Sequence, residues 1–179
     1  MARALKARRV VLGVSGSIAA YKACSVVRLL VKAGCEVRVA MTANAAKFVG
    51  PMTLAALSRA PVTLDLMDPA HWDMAHLSLA SWGERVLVAP ATADLIARLA
   101  VGRACGPVEA TVLSTKAPVF VAPAMDTEMW EHPATRANAE RLGAFGYTLL
   151  GPVSGPLASG RTGMGRLMDP EEIVRRTLA

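Results

Sequence analysis

The chain has 179 residues, a formal net charge of +6, and a composition that is 53% hydrophobic and 19% charged. That length makes one domain able to bury a core without disulfide or metal staples, and no run approaches the roughly 18 unbroken apolar residues of a membrane span. Cys24, Cys35 and Cys105 are odd in number and at no metal-ligand spacing, which argues against a disulfide framework or a zinc site and leaves reduced thiols. The basic residues are scattered and aromatics make up only 4%, so nucleic-acid binding is not expected. A modest positive excess suits phosphorylated small molecules equally well. The basic start, Met1 to Arg9, leads straight into a strand-like run with no apolar signal core, and the cytoplasm is the expected compartment.

Short β-branched runs alternate with longer helical patterns along the chain, which predicts an α/β fold: a doubly wound, Rossmann-like parallel sheet with helices on both faces. A strand over Arg9–Val14 is followed by a helix over Ile18–Ala33, a strand over Glu36–Met41 and a helix over Pro51–Ser58. Strands at Val62–Leu64 and Arg85–Ala89 come next, then helices at Thr92–Ala100 and Val108–Thr115. A strand at Val119–Ala122 precedes a helix at Pro133–Leu142, which opens on proline and stops at Gly143. A strand at Thr148–Leu150 and a closing helix at Pro170–Leu178 complete the pattern. Between them Ser154–Met168, with Gly155, Gly160, Gly163 and Gly165 and no periodicity, reads as a long flexible loop. Loops of more than about 12 residues in compact domains are commonly lids or binding segments.

The first strand runs into Ser15-Gly16-Ser17 and then a helix, a junction where free N–H groups and the helix dipole converge on an anion. The turn lacks the GxGxxG spacing, and a plain tight turn would look the same. The second strand ends Val39-Ala40-Met41-Thr42, without the carboxylate that dinucleotide folds place there for a ribose hydroxyl. A nicotinamide dinucleotide is therefore disfavoured, and a flavin mononucleotide, with ribityl in place of ribose, is allowed. Thr42 is read either beside that ligand or as a helix cap. The Pro90–Asp94 turn is a second helix N-terminus, with Thr92 as its capping hydroxyl.

Four further stretches fall in a telling order: Ala75-His76-Leu77-Ser78-Leu79, Ala89-Pro90-Ala91-Thr92-Ala93-Asp94, Pro123-Ala124-Met125-Asp126-Thr127-Glu128-Met129-Trp130, and the glycine-rich run. Together, from about Val10 to Pro170, they resemble the flavin-dependent cysteine decarboxylases, which comprise phosphopantothenoylcysteine decarboxylases, halotolerance flavoproteins and lantibiotic peptidyl-cysteine decarboxylases. The resemblance implies a single FMN-binding domain over residues 1–179, assembled as a homotrimer or dodecamer with FMN near a subunit interface. It implies cofactor contacts from Ser15, Gly16, Ser17, Thr42, Phe48, Thr92, Ala93 and Asp94. It implies substrate contacts from Met125, Asp126, Met129 and Ala158, and catalytic roles for His76, Asp126 and Ser159. Imidazole titrates near neutrality and suits proton transfer at working pH, whereas His71 and His132 read as structural. No metal is expected. FMN is the expected cofactor, with the larger FAD left open.

In such enzymes the flavin oxidises the cysteine CH2–SH to a thioaldehyde, whose C=S accepts the electrons left when CO2 departs. The resulting enethiol is the end product for the lantibiotic enzymes. Coenzyme A synthesis goes on to reduce it, using a proton from a loop cysteine. The expected substrate is accordingly a phosphorylated, cysteine-containing small molecule. Two departures stand out. Leu157-Ala158-Ser159-Gly160 replaces the family's Leu-Ala-Cys-Gly, and a hydroxyl is a far weaker acid than a thiol of pKa about 8.5, so the last reduction is expected to be impaired. Asp126 replaces the amide of Pro-Ala-Met-Asn. A carboxylate only accepts hydrogen bonds, and at about 4 Å from a substrate carboxylate, with an effective dielectric near 20, it would cost about 4 kcal/mol. Asp126 is therefore protonated, or faces a cation or amide, or the usual substrate is no longer decarboxylated. Asp94, where relatives often carry Asn, is a milder departure. A flavin-binding relative without decarboxylase activity is the second reading and a flavin prenyltransferase the third. The chain ends near Ala179 without the synthetase domain that bacterial coenzyme A enzymes often append, so that activity is expected on another chain.

Overall fold

The computed structural model describes residues 8–68 and 74–179. Strands β1 (Arg9–Val14), β2 (Glu36–Met41), β3 (Val62–Thr63), β4 (Arg85–Ala91), β5 (Val119–Pro123) and β6 (Thr148–Leu149) form one sheet in the order β3-β2-β1-β4-β5-β6. Every neighbouring pair is parallel. The strands are short and apolar because both faces are covered. In β1 the pleat sends Val10, Leu12 and Val14 into one core with Val26 and Leu30 of α1 (Ala23–Lys32) and Ile173 of α8 (Pro170–Leu178). Val11 points the other way, into a second core with Leu95 and Ile96 of α4 (Ala93–Ala100) and Val108 and Val112 of α5 (Pro107–Ser114). The period-two alternation of one strand thus feeds two cores. On the first face α1 packs against α2 (Pro51–Ser58) and α8. On the second, α3 (Ala75–Trp82) meets α5, and α4 meets α7 (Pro133–Ala144). No helix among the described residues is long and apolar enough to cross a membrane.

The chain departs from its expected elements in four places. The helix expected over Ile18–Ala33 opens as a 3-10 turn, Ile18–Lys22, before α1 begins. Ser17 accepts from the Ala19 N–H at 3.2 Å, and the Ala20 N–H reaches the Ser17 carbonyl at 2.9 Å. The tighter turn thereby satisfies donors that an α-helix start would leave free. Two short helices, α3 and α6 (Thr127–Glu131), occupy stretches that carry no amphipathic period.

The fourth departure concerns Ser154–Met168, which is not a flexible loop but an antiparallel hairpin of β7 (Val153–Pro156) and β8 (Thr162–Arg166). Its glycines serve close approach. The Met125 N–H donates to the Gly165 carbonyl at 3.0 Å. A Cβ on Gly165 would collide with the Met125 carbonyl oxygen, and the φ of +143° there is itself suited to glycine. A Cβ on Gly163 would likewise strike the Thr127 hydroxyl. The hairpin therefore lies directly on the segment joining β5 to α6, and its residues show no hydrophobic period because it is held by backbone contact.

Gly165→Ala is expected to lower stability by about 1–3 kcal/mol and to speed amide exchange in β7 and β8. Urea denaturation with hydrogen exchange checks this, and an unchanged midpoint with unchanged protection would contradict the seating described.

Candidate active site

In the order β3-β2-β1-β4-β5-β6 the connections reverse direction between β1 and β4, so the chain leaving β1 and the chain leaving β4 cover opposite faces. Such a switch point opens a crevice at the carboxyl edge of the sheet. Ser15, the first residue past β1, is 1% exposed and spans that crevice. Its hydroxyl donates to the Pro90 carbonyl at 2.7 Å and accepts from the Thr92 N–H at 3.0 Å. Its own N–H also reaches the Pro90 carbonyl, at 3.2 Å. One side chain thus ties together the two turns that open helices. The hydroxyl of Ser15, a residue expected to touch a cofactor, holds those turns in register.

Around that strut the helix openings converge. Thr92 caps α4 by accepting from the Leu95 N–H at 3.3 Å, while the N–H groups of Gly16, Ala93 and Asp94 have no intramolecular partner among the described residues. A Cβ on Gly16 would fall 2.5 Å from the Asn44 Cβ, so only glycine lets the turn after β1 meet the turn after β2. Thr42 takes the capping role held open for it: its hydroxyl accepts from the Ala45 N–H at 3.2 Å. The short turn it starts, Ala45–Lys47, presents Phe48 half exposed beside the junction. Asp94 pairs with Arg98 one turn along α4, which turns its carboxylate away from the helix opening and leaves its backbone N–H there.

Beside the first turn lies a cavity of about 470 Å³ lined by Ser17, Lys22, Met125, Asp126, Ser159 and Arg166, among others. Ala158 lines it as well. Asp126 stands at the N-cap of α6 without capping it. Its carboxylate lies 3.1 Å from the guanidinium of Arg161, which also pairs with Glu128. Hydrogen bonds from the Glu128 carboxyl and the Ser159 hydroxyl, with the charge of Arg161, pull the Asp126 carboxyl down to about 2. Of the three ways of accommodating an acid at position 126, a facing cation is present.

The fold therefore gathers Ser17, Met125, Asp126, Ala158 and Ser159 around one cavity, next to Gly16 and the Thr92 turn. His76 and Met129 do not line it. His76 sits in the first turn of α3, with its Nδ1 buried and without a hydrogen-bond partner. Met129 is half exposed on α6. His132 takes the structural part expected of it, its Nδ1 accepting from the Ala134 N–H at 3.1 Å to cap α7. His71 lies outside the described residues. Arg161 and Lys22 were not anticipated. Each follows a recognised motif by a few residues, but only the hairpin fold and the 3-10 turn bring them to the site. Among the described residues no group of three or more acidic, histidine or cysteine side chains could hold a metal.

Two measurements probe this geometry. Ser15→Ala leaves the Thr92 N–H without its acceptor and is expected to cost about 1–3 kcal/mol, read by urea denaturation; a neutral substitution would remove Ser15 as the strut. The Asp126 carboxyl is depressed, so its contribution is complete above the ordinary value of about 3.9 and is lost as the pH falls through about 2. An NMR titration of the side-chain carboxyl carbon should give a midpoint near 2, whereas one near 4 would show that the hydrogen bonds of Glu128 and Ser159 and the charge of Arg161 do not act together on Asp126.

Comparison with known proteins agrees with this arrangement. The chain is 45% identical over 170 residues to the coenzyme A biosynthesis bifunctional protein CoaBC of Haemophilus influenzae, covering 94% of this chain and 42% of that protein. It is 47% identical over 176 residues to the Escherichia coli protein of the same name, covering 98% of this chain and 43% of that one. The chain thus spans less than half the length of these curated relatives. Among solved structures it superposes on a PPC decarboxylase mutant complexed with pantothenoylaminoethenethiol, with a TM-score of 0.88, 28% identity and 96% of each chain covered. The FMN-dependent cysteine decarboxylase SpaF gives 0.80 at 31% identity, over 96% of this chain and 98% of that one. The FMN binding protein AtHal3 gives 0.85 at 28%, over 96% and 95%. The Flavoprotein family model matches residues 1–179, and the chain belongs to the Flavoprotein family.

Proposed function

We propose that this chain binds FMN at the β1–β4 switch point and acts as an oxidative decarboxylase on a cysteine whose carboxylate is free, phosphopantothenoylcysteine being the substrate. The observation that carries this reading is the pair of helix-opening turns locked together by Ser15 beside a cavity that holds Asp126 and Ser159. The residues present suit the cofactor. Unpartnered N–H groups at Gly16, Ala93 and Asp94 are donors for a phosphate at two helix N-termini. The close contact of Gly16 with Asn44 leaves no side chain in the way. The end of β2 carries Thr42 rather than an acid, so no ribose hydroxyl is demanded. FMN, when bound, supplies the two-electron oxidation that makes loss of CO2 from a cysteine feasible.

The chain's own side chains bind and orient the substrate. Lys22 lines the cavity and forms no ion pair among the described residues, so it is free to meet an anionic group of the substrate. The hairpin tip, with Ala158 and Ser159, forms one wall of the cavity. Assembly as a homotrimer or dodecamer, with the cofactor near a subunit interface, belongs to this proposal, and His76, with an imidazole suited to proton transfer, is its proposed catalytic histidine. Free thiols at Cys24, Cys35 and Cys105 suit a reducing compartment, and the cytoplasm is the proposed one. Neither nucleic acid nor membrane is a proposed partner.

The cation facing Asp126 answers the charge objection on which the inactive-relative reading rested. Ser159 then affects only the final protonation, because a hydroxyl does not replace a thiol as acid. Purified yellow protein incubated with phosphopantothenoylcysteine is expected to lose CO2 and accumulate the enethiol, followed by mass spectrometry. Ser159→Cys is expected to shift the product toward the reduced aminoethanethiol. Unchanged substrate in the presence of bound flavin would overturn the decarboxylase reading.

A further inference from the structure

The acid at position 126 and the arginine of the hairpin tip form one unit. The hairpin buries little apolar surface: β7 is half-buried to exposed throughout, and in β8 only Gly165 is fully buried. Its tip is closed by the Leu157 N–H on the Arg161 carbonyl at 2.8 Å and the Gly160 N–H on the Leu157 carbonyl at 3.0 Å, which points the Arg161 side chain back over α6. There the guanidinium divides its two ends. One nitrogen meets Asp126 at 3.1 Å and the other meets Glu128, while the Ser159 hydroxyl bonds to the same Asp126 carboxylate. Two carboxylates from the start of α6 thus hold the tip by a single planar fork, the geometry for which guanidinium is suited and ammonium is not.

We propose that Arg161 is the specificity-determining residue of this site. Its guanidinium, shared with Glu128, offsets the charge of Asp126 and ties the hairpin tip to the start of α6 beside the cavity, so that a substrate with a free carboxylate is accepted where an uncompensated Asp126 would repel it. The inference rests on the decarboxylase reading for its substrate, but the clamp itself does not. Lys22 and Arg166 line the cavity, and Arg166 is partly engaged by Asp169 at 2.5 Å. Arg161 stands behind Asp126 and is shared with the exposed Glu128, so with Arg161 in place the one acid of the lining is paired and the lining keeps its positive balance from Lys22 and Arg166. Without it the lining carries an uncompensated negative charge directed at the incoming anion.

The test uses the flavin-loaded protein as wild type, Arg161→Gln, Arg161→Lys and the double variant Asp126→Asn with Arg161→Gln. Amide exchange over residues 157–161 reads the clamp without turnover. Arg161→Gln is expected to exchange about fivefold faster, in keeping with a half-exposed ion pair, and high salt should speed the wild type in the same direction. KM for phosphopantothenoylcysteine reads specificity. Arg161→Gln is expected to raise it about tenfold or more through uncompensated repulsion, with kcat changed less. The lysine variant should retain the charge effect on KM but lose part of the protection, and the double variant should return KM to within about threefold of wild type once the repelling charge is gone. Unchanged protection in Arg161→Gln overturns the clamp. An unchanged KM, or a double variant as impaired as the single one, overturns the specificity role. If the flavin-loaded wild type leaves the substrate untouched, the decarboxylase reading and the specificity role both fail, while the exchange measurements still decide the clamp.

Discussion

A buried serine hydroxyl holds the two halves of this sheet in working register. Ser15 donates to Pro90 and accepts from Thr92, and in doing so it fixes the spacing between the turn that leaves β1 and the turn that leaves β4. Each turn is by itself an ordinary helix opening with a few unpartnered donors. Held side by side across the switch point, their free donors share one crevice, which is where the proposed cofactor phosphate would sit. The geometry depends on a side chain that is 1% exposed and whose one donor is spent on Pro90, so it is a constraint of the core that the site inherits.

A second constraint works at the other wall of the cavity. The β7–β8 hairpin has almost no hydrophobic face and is held by backbone contact through glycines that admit no side chain, and by the ion pairs of Arg161. An acid at position 126 in isolation would be a liability in a site meant for a carboxylate. Set against a guanidinium supplied by the hairpin tip, which it shares with Glu128, its charge is partly offset. The charge that separates this chain from its family's motif and the arginine that answers it come from different elements, 35 positions apart. Their coupling is electrostatic and partly exposed, which makes the closure of the hairpin responsive to ionic conditions in a way that an apolar lid would not be.

The parallel sheet, its six strands, and the helices at Pro51–Ser58 and Pro170–Leu178 could be read from the chain, because buried strands and amphipathic or proline-opened helices leave local signatures of composition and period. The turns at Ser15–Ser17 and Pro90–Asp94 were legible for the same reason, as was the importance of Asp126 and Ser159 from their place in ordered motifs. The hairpin was not legible. Backbone-held strands rich in glycine carry no hydrophobic alternation, and the segment they rest on, at Met125–Thr127, lies far off in the sequence. The short helices α3 and α6 were missed because eight and five residues give too little period to recognise.

The sequence by itself determined the α/β class, the family, and the chemical departures at Asp126 and Ser159, since each is a property of residue type and local order. Only the tertiary structure decided that Ser15 acts as a strut, that Thr42 caps a turn, that Asp94 is spent on Arg98, and that Arg161 answers Asp126. It also placed His76 outside the cavity of its own chain. The physical reason is the same in every case. A side chain's capacity to donate, accept or carry charge is written in its identity, but the partner that uses this capacity is chosen by contacts between segments that local sequence does not encode.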